Sequence, residues 1–370
     1  MKGRAAALLT VVLVLVLVWP GPIQAQTDAQ RARTVQAHLT LEQQVGQLFL
    51  VYHSPAGFMA EHGFGGSLVM ESMLRDADAL QASLQEARAR SVVPPLAAID
   101  QEGGRVNRLR PLPGFEHVPG AADLATLPAD SIRATARQVA WRMAELGLNL
   151  NLAPVVDPTR NVDHQFTLMH ERGRSFGRES ADIVPPARAF MSGCGDAGVL
   201  CTLKHFPGYV VSRNSDHEVA ESHANRSALL GYIHPFAACM DSAGAVMMSS
   251  IHYSLLSDVP AVFDRDLVSL ARCGFAERVV MTDDLWGTAL RVWIHGGPVQ
   301  RADYPAADLR RLTLAAFDAG NDMLMITFPA KAVAMKRVLV EACRADPERR
   351  ARLEASVGRI LLLKARLGLI

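Results

Sequence analysis

The residues most able to do chemistry lie between Lys204 and His223. An apolar run at 198–203 precedes them and predicts a buried strand, which Pro207 and Gly208 bring to an end. Because imidazole titrates near neutral pH and can act first as an acid and then as a base, a histidine-rich loop here predicts proton transfer beside a buried strand. The loop carries two histidines and three carboxylates within eight residues: Asp216, His217, Glu218, Glu221 and His223.

Acidic residues also follow other short apolar runs. Asp100 comes directly after 96–99, and only Thr282 separates Asp283 from the run 279–281. An isolated aspartate at such a place can simply cap a helix or a turn. Aspartate is rarely buried without a partner, so its recurrence at several strand ends favours one shared site. Three further runs end in polar residues: Asp157, Lys204-His205 and Ser249-Ser250.

The segment 100–108 has the composition of a sugar-binding loop. It combines carboxylates with two glycines, which allow close backbone approach, and with two arginines at positions 105 and 108. A carboxylate that accepts hydrogen bonds from hydroxyls, beside a guanidinium that donates them, can hold a sugar. The segment 171–177 is similarly basic and contains two glycines. Either stretch alone could also be a solvated loop.

These groups must be positioned by an alternation of strands and helices. Eight alternating units predict an α/β fold, a single (β/α)8 barrel of the TIM type, with reactive groups at the carboxyl ends of its strands. An open doubly wound sheet is the alternative, but it needs a glycine-rich turn where Tyr52-His53-Ser54-Pro55 stands. Strands are predicted at 47–51, 67–70, 96–99, 148–156, 199–203, 245–249, 278–281 and 323–326, and helices at 76–90, 129–146, 181–194, 226–241 and 308–319.

Local signals mark the first and last helices of this barrel. Thr40 and Gln43 have the spacing of a capping box before the first strand. Asp346-Pro347 predicts the start of the last helix, because Asp caps a helix well and Pro is tolerated in its first turn. The stretch 291–304 is predicted to be a long loop over the barrel mouth.

The first 25 residues predict a secretory signal peptide. Lys2 and Arg4 give a positive start, 5–19 is almost entirely apolar, and Ala25 offers a small residue for cleavage. The run is short for a membrane-spanning helix, although an uncleaved anchor is the alternative. We therefore expect an exported protein, periplasmic or secreted, in which residues 26–370 form one catalytic barrel without stable membrane insertion.

Composition narrows the possible partners. The 370-residue chain has a formal charge of +1, and without Lys2 and Arg4 it has 36 basic against 37 acidic side chains. This balance predicts no nucleic-acid partner, and a hydrophobic content of 49% suits a large core. Of five cysteines, Cys194 and Cys201 could form a disulfide, but buried thiols are the favoured interpretation. There is no CxxC motif and no zinc spacing.

Four motifs follow one another along the chain on predicted strand ends: Asp100-Gln101-Glu102-Gly103-Gly104-Arg105-Val106, Arg174-Ser175-Phe176-Gly177, Lys204-His205-Phe206-Pro207-Gly208 and Thr282-Asp283-Asp284-Leu285. Each is weak alone, but in this order they resemble glycoside hydrolase family 3. Within that family the chain is most similar to the single-domain bacterial β-N-acetylhexosaminidases. The similarity runs from position 39 to the final helix.

The resemblance implies a (β/α)8 barrel that hydrolyses terminal β-linked N-acetylglucosamine with retention, through a covalent glycosyl-enzyme. Asp283 matches the family's nucleophile, with Asp284 supporting it. A carbohydrate is the expected partner of a protein expected to be a monomer, and no metal or cofactor is implied. The residues that match the family's substrate-binding positions are Asp100, Arg108, Arg174, Lys204 and His205.

The acid/base loop departs from the family's pattern. The subgroup uses a His–Asp pair in the order Asp-Ser-His, eleven to thirteen residues after the lysine. Here those positions hold Ser215, Asp216 and His217, and Tyr209-Val210 replaces the usual His-Gly. We take His217 as the acid/base, with Asp216 beside it. His223 is the alternative, because the acid-Ser-His order recurs six residues later at 221–223.

Other functions are compatible with the same residues. A metal-dependent hydrolase could draw ligands from His205, His217, His223, Asp100 and Asp283, although no His-x-His pair follows an early strand. The altered loop also fits a glycan-binding barrel with weakened catalysis, and a β-glucosidase of the same family is a further alternative. The predicted export favours peptidoglycan-derived or related glycans as substrate.

Overall fold

Residues 27–370 are described by the computed structural model, and within them eight strands form one parallel sheet in the order β10-β1-β2-β3-β4-β5-β7-β9. Two short strands, β6 and β8, pair with each other outside that sheet. The bounds are β1 Phe49–Tyr52, β2 Gly66–Val69, β3 Leu96–Ile99, β4 Leu150–Asn151, β5 Leu200–Phe206, β6 Glu221–Ser222, β7 Ala245–Met248, β8 His252–Tyr253, β9 Val279–Thr282 and β10 Leu324–Ile326.

The sheet closes on itself. At one edge Phe49 of β1 pairs with Leu324 of β10. At the other edge Met281 of β9 bridges Met323, and the Thr282 amide donates to the Met323 carbonyl over 2.9 Å. The predicted (β/α)8 barrel is therefore confirmed, and the carboxyl ends of all eight strands open on one face.

Helices surround the barrel and bury one stripe each. In α6 the buried residues recur every three or four positions, as the core-facing side of a helix requires. The bounds are α1 Asp28–Ala37, α2 Leu41–Gln47, α3 Ala56–His62, α4 Ala77–Arg90, α5 Ala121–Leu124, α6 Ala129–Glu145, α7 Leu168–Glu171, α8 Ser180–Asp196, α9 Arg226–Cys239, α10 Arg265–Leu270, α11 Thr288–His295, α12 Ala306–Asp318, α13 Pro329–Ala345 and α14 Pro347–Arg366.

The fourth strand is much shorter than predicted, at Leu150–Asn151 instead of 148–156. Pro154 explains the difference, because proline has no amide hydrogen to donate to a neighbouring strand. Beyond Asn151 the Ala153 carbonyl still accepts from the Thr202 amide of β5 over 3.0 Å, and an isolated bridge joins Val155 to Lys204. The other seven predicted strands lie within three residues of the observed ends.

The fifth strand extends past its predicted end at 203. Phe206 still pairs with Met248, and its carbonyl accepts from the Ser249 amide over 2.7 Å, so pairing stops only at Pro207. Lys204 and His205 therefore belong to β5 itself. The sheet, and not a loop, holds these two side chains in place.

Two helix starts follow the predicted capping signals. The Thr40 hydroxyl accepts from the Gln43 amide over 3.2 Å while the Gln43 side chain accepts from the Thr40 amide over 2.9 Å. Asp346 accepts from the amides of Glu348 and Arg349 at the start of α14. The predicted loop at 291–304 is wrong in its first part, because α11 continues to His295 before a left-handed glycine ends it.

All five cysteines are unpaired thiols, and four of them are buried while Cys273 is exposed. A hydrogen bond with Cys194, together with burial, raises the pKa of the Cys201 thiol well above its usual range. The predicted signal peptide at 1–25 lies outside the described residues. Within 27–370, none of the helices has the length and apolar character needed to cross a bilayer.

One fully buried cation lies in the last turn of α14. The Lys364 ammonium donates to Gln47 Oε1 over 2.6 Å, and the Gln47 amide donates to the Gly63 carbonyl over 3.0 Å. This partner is neutral, so nothing compensates for the loss of water around the charge. Burial accordingly lowers the pKa of Lys364 to about 7.

We expect Lys364→Met to change how stability depends on pH. A lysine has a pKa of about 10.4 in an unfolded chain, whereas the pKa of Lys364 in the folded protein is about 7. Between these two pH values only the unfolded state holds the proton. Wild-type stability must then rise with pH by about 1.4 kcal/mol per unit, and methionine removes this slope. The change in unfolding free energy caused by Lys364→Met, measured by urea unfolding, should therefore be about 2 kcal/mol more stabilising at pH 7 than at pH 9. The same change in unfolding free energy at both pH values would contradict this expectation. Lys331→Met is the matched control for loss of a lysine.

Candidate active site

One cavity of about 420 Å³ opens at the carboxyl ends of the barrel strands, and every strand of the barrel, or the residue just after it, contributes to its wall. Ligand sites typically span roughly 300–1,000 Å³, so the volume suits a small ligand. Apolar side chains such as Leu68, Met247 and Met325 line part of it. The predicted site residues that line it are Asp100, Arg108, Arg174, Lys204, His205, Asp216 and Asp283.

Lys204 is the centre of a charge network on one wall. Its Nζ lies 2.5 Å from Asp100 Oδ1 and 2.6 Å from Glu102 Oε1. Arg174 forms two hydrogen bonds of 2.8 Å with the Glu102 carboxylate, and Arg108 lies 3.5 Å from Asp100. Lys204 and Glu102 are nearly inaccessible, whereas the Asp100 and Arg108 side chains are 22% and 26% exposed. Asp100 and Arg108 can therefore meet ligand hydroxyls.

The network keeps Glu102 and Lys204 charged. Burial opposes ionisation of Glu102, but Arg174 and Lys204 outweigh it and hold the pKa of that carboxyl well below its usual range. Burial also disfavours the charged form of Lys204, yet Asp100 and Glu102 raise the pKa of its ammonium. Glu102 thus cannot supply a proton near neutral pH, and its function is to hold the two cations in place.

His205 is oriented by a fully buried carboxylate. Asp157 accepts from the His205 ring nitrogen Nδ1 over 2.7 Å and from the His205 amide over 3.0 Å. The same carboxylate accepts from the Tyr209 amide over 2.7 Å. A carboxylate at Nδ1 places the proton there, so Nε2 is left as the ring nitrogen that can contact a ligand.

Asp283 follows β9 directly and lines the cavity. Its Oδ1 accepts from the Asp284 amide over 2.7 Å, and no cation of residues 27–370 lies within 4 Å of its carboxylate. Burial raises its pKa, with a smaller contribution from Asp216 that His205 opposes. Asp284 turns toward β10, where it accepts from the Thr327 hydroxyl over 2.7 Å. Asp283 is therefore a positioned carboxylate that no ion pair occupies.

The loop after Gly208 brings Asp216 to the cavity but neither histidine. His217 is exposed, and its ring has no hydrogen-bond partner among the described residues. The His223 side chain is 75% exposed, with its Nδ1 3.0 Å from the Ser254 hydroxyl. The acid/base role assigned to His217, with His223 as the alternative, stays a prediction.

Three functional residues were missed as such by sequence reasoning: Glu102, Asp157 and Tyr209. Asp157 stood among the polar strand ends and Glu102 within a motif, so both carried a signal. Tyr209 carried none, because its importance lies in contacts along the loop. Its hydroxyl donates to the Arg213 carbonyl over 2.7 Å and accepts from the Ser215 amide over 2.8 Å, and burial raises its pKa to about 12.

A larger groove of about 1020 Å³ lies between the loop at 158–164 and the first turns of α8 and α9. None of the strand-end carboxylates lines it, and neither do Lys204 and His205. Size alone therefore does not identify the reactive site. The ionisable groups that could do chemistry together are in the smaller cavity.

The ligand set of a metal-dependent hydrolase is not assembled in the described part of the chain. His205 lines the cavity and is bound to Asp157, whereas His217 and His223 lie outside it. Within residues 27–370, no three His, Cys, Asp or Glu side chains are grouped as metal ligands.

Fold and site together define the class of this protein, a (β/α)8-barrel O-glycosyl hydrolase. A family model described as the glycosyl hydrolase family 3 N terminal domain matches residues 30–363. The chain belongs to glycoside hydrolase family 3.

Relatives of known name agree with this assignment. A β-hexosaminidase of Idiomarina loihiensis is 27% identical over 277 residues, which cover 72% of this chain and 78% of that protein. The β-hexosaminidase LpqI of Mycobacterium tuberculosis is 32% identical over 281 residues, which cover 73% of this chain and 68% of that protein. In structure, a β-N-acetylhexosaminidase from Beutenbergia cavernae aligns with a TM-score of 0.74 and 30% identity over 88% of this chain and 98% of that one. The structure of M. tuberculosis LpqI aligns with a TM-score of 0.76 and 27% identity, over 89% of this chain and 95% of that one.

Proposed function

We propose that this enzyme is a retaining exo-glycosidase that removes terminal β-linked N-acetylglucosamine through a covalent glycosyl-enzyme on Asp283. The observation that carries the proposal is the free carboxylate of Asp283, held in the cavity opposite a wall of fixed charges. The relatives named as β-N-acetylhexosaminidase and β-hexosaminidase support the choice of sugar.

The residues divide into a holding group and a reacting group. Asp100 and Arg108 offer an acceptor and donors to the sugar hydroxyls, and the buried pairs formed by Lys204 and Arg174 keep that wall rigid. His205, fixed by Asp157, adds a further polar contact. Asp283 attacks the anomeric carbon, and a second group must protonate the departing oxygen.

Peptidoglycan-derived or related glycans are the substrates we propose, because the predicted signal peptide would deliver the enzyme outside the cytoplasm. Cell fractionation followed by N-terminal sequencing of the mature chain tests this location. A new terminus near residue 26 in the exported fraction is the expected result. Full-length protein confined to the cytoplasm contradicts it.

A trapping experiment tests the reaction. The protein is incubated with a fluorinated mechanism-based N-acetylglucosaminide, digested, and its peptides are weighed by mass spectrometry. Label on the peptide carrying Asp283 is expected, together with faster hydrolysis of an aryl β-N-acetylglucosaminide than of the matching aryl β-glucoside. Faster glucoside cleavage would favour the β-glucosidase alternative. Binding of the sugar without label or turnover would favour a glycan-binding barrel.

The pH dependence of kcat/KM should reflect the ionisation of the Asp283 carboxyl. Burial raises the pKa of its carboxyl, and the nucleophile must be ionised to attack. Activity should therefore fall on the acid side at a pH above about 3.9, the pKa of an ordinary aspartate. Initial rates on an aryl β-N-acetylglucosaminide between pH 4 and 8 measure this limb, after preincubation shows that the enzyme survives each pH. Activity undiminished down to pH 4 contradicts the assignment.

A further inference from the structure

We propose that Asp216, and not His217, carries the proton in this enzyme: its carboxyl protonates the departing oxygen and later deprotonates water. The inference rests on the proposed function, and it concerns the loop in which the chain departs from its family's order. It assigns the proton to the ionisable residue of this loop that lines the cavity. Asp216 and His217 are both exposed, but of the two only Asp216 lines the cavity.

Orientation is the first argument. Three carboxylates line the cavity: Asp100, Asp216 and Asp283. Asp216 and Asp283 line the same cavity, and the charge of Asp216 helps raise the pKa of the Asp283 carboxyl. A proton donor has to reach the leaving oxygen while the nucleophile reaches the anomeric carbon, so both must face one space. Asp216 meets this requirement, and neither loop histidine does.

Availability is the second argument. Asp100 is bound to Lys204 over 2.5 Å and approached by Arg108, so its oxygens already have cationic partners. Asp216 has no ion pair and no side-chain hydrogen bond within the described residues; only its backbone is bonded. Of the three lining carboxylates, therefore, Asp216 and Asp283 are the two without a cation. A pair of carboxylates is what most retaining glycosidases use.

Anchoring is the third argument, because a catalytic group must be held near its productive position. The Asp216 carbonyl accepts from the Thr288 amide over 3.4 Å, at the start of the helix that follows Asp283. Its amide donates to Asn214 Oδ1 over 3.0 Å. The neighbouring Ser215 is buried and bonded through its amide to the Tyr209 hydroxyl. Where the family's order places the acid, this chain has a serine locked to Tyr209.

The proposed steps balance. Asp283 Oδ forms a bond to the anomeric carbon as the glycosidic C–O bond breaks, and the leaving oxygen takes the proton of the Asp216 carboxyl. Water then attacks the same carbon while Asp216 takes its proton. The bond to Asp283 breaks, and its electron pair returns to that carboxylate. Asp216 ends protonated and Asp283 ionised, as both began.

Asp216→Asn tests the assignment, with Glu218→Gln as the matched control on the same loop. Glu218 is exposed and paired with Arg213 over 2.7 Å, outside the cavity. The Asn variant should lose about 10²–10⁴-fold in kcat/KM on a phenyl glycoside, whose leaving group needs protonation. It should lose far less on a dinitrophenyl glycoside, whose leaving group does not. Glu218→Gln should keep the wild-type ratio between the two substrates.

A second measurement separates a chemical role from a folding defect. Azide added to Asp216→Ala should restore turnover of the dinitrophenyl substrate and yield the β-glycosyl azide, because the small anion attacks the glycosyl-enzyme where water attacks. Trapping on Asp283 should persist in this variant. The inference is overturned if Asp216→Asn keeps the wild-type leaving-group dependence, or if His217→Ala acquires the dependence expected of Asp216→Asn. An inactive wild type that cannot be trapped overturns the proposed function, and this inference with it.

Discussion

Asp283→Asn is expected to lower turnover by roughly 10⁴- to 10⁶-fold, the range observed when a covalent nucleophile is removed. The asparagine amide keeps the size of the side chain and can still accept from the Asp284 amide, but it cannot attack the anomeric carbon. The measurement is steady-state hydrolysis of an aryl β-N-acetylglucosaminide, with mass spectrometry to exclude traces of wild-type enzyme.

Two controls make this result specific. Asp266→Asn changes an exposed aspartate on α10 and should leave both turnover and stability near wild type. Azide added to Asp283→Ala should yield the α-glycosyl azide, because the anion replaces the nucleophile. This product has the opposite anomeric configuration to the one expected from Asp216→Ala. If Asp283→Asn retains more than about 1% of wild-type turnover, the nucleophile must be sought elsewhere.

Lys204→Met is expected to destabilise the folded enzyme by about 3–5 kcal/mol, the usual cost of removing one partner from a buried ion pair. Lys204 is 3% exposed and lies within 2.6 Å of both Asp100 and Glu102. Methionine has a similar length but leaves these two carboxylates without their shared cation. Urea unfolding at pH 7 measures the loss, which should shrink at low pH as Glu102 becomes protonated.

The same variant should bind substrate less well, since Asp100 is no longer held at the cavity wall. We expect kcat/KM to fall at a temperature where the variant is still folded, as circular dichroism can verify. Lys331→Met, in the first turn of α13, is the matched control for loss of a lysine, because the Lys331 ammonium lies 5.2 Å from the centre of the Trp286 ring and not in this ion-pair network. Unchanged stability at neutral pH would mean that Arg174 and Arg108 neutralise both acids alone.

Much of the fold, and much of the charged cavity wall around Lys204, could be predicted from local patterns. Short apolar runs that end in Asp100, Lys204 or Asp283 predict strands whose carboxyl ends carry function, because parallel strands in a barrel open on one face. The capping signals at Thr40 and Asp346 are local for the same reason, since a cap bonds residues two or three positions away. The length of the fourth strand depended on whether Pro154 could be accommodated, and pattern alone missed it.

The loop from Gly208 to His223 marks what only the tertiary structure decided. By itself the sequence determined that an acid and a histidine, Asp216 and His217, stand side by side in the loop after a strand end. It could not determine which of them enters the cavity, because adjacent side chains point in different directions and the choice depends on distant partners. Those partners are the Thr288 amide, at the start of the helix that follows Asp283, and the Tyr209 hydroxyl that holds Ser215. With these bonds Asp216 lies at the cavity wall, whereas His217 does not line the cavity.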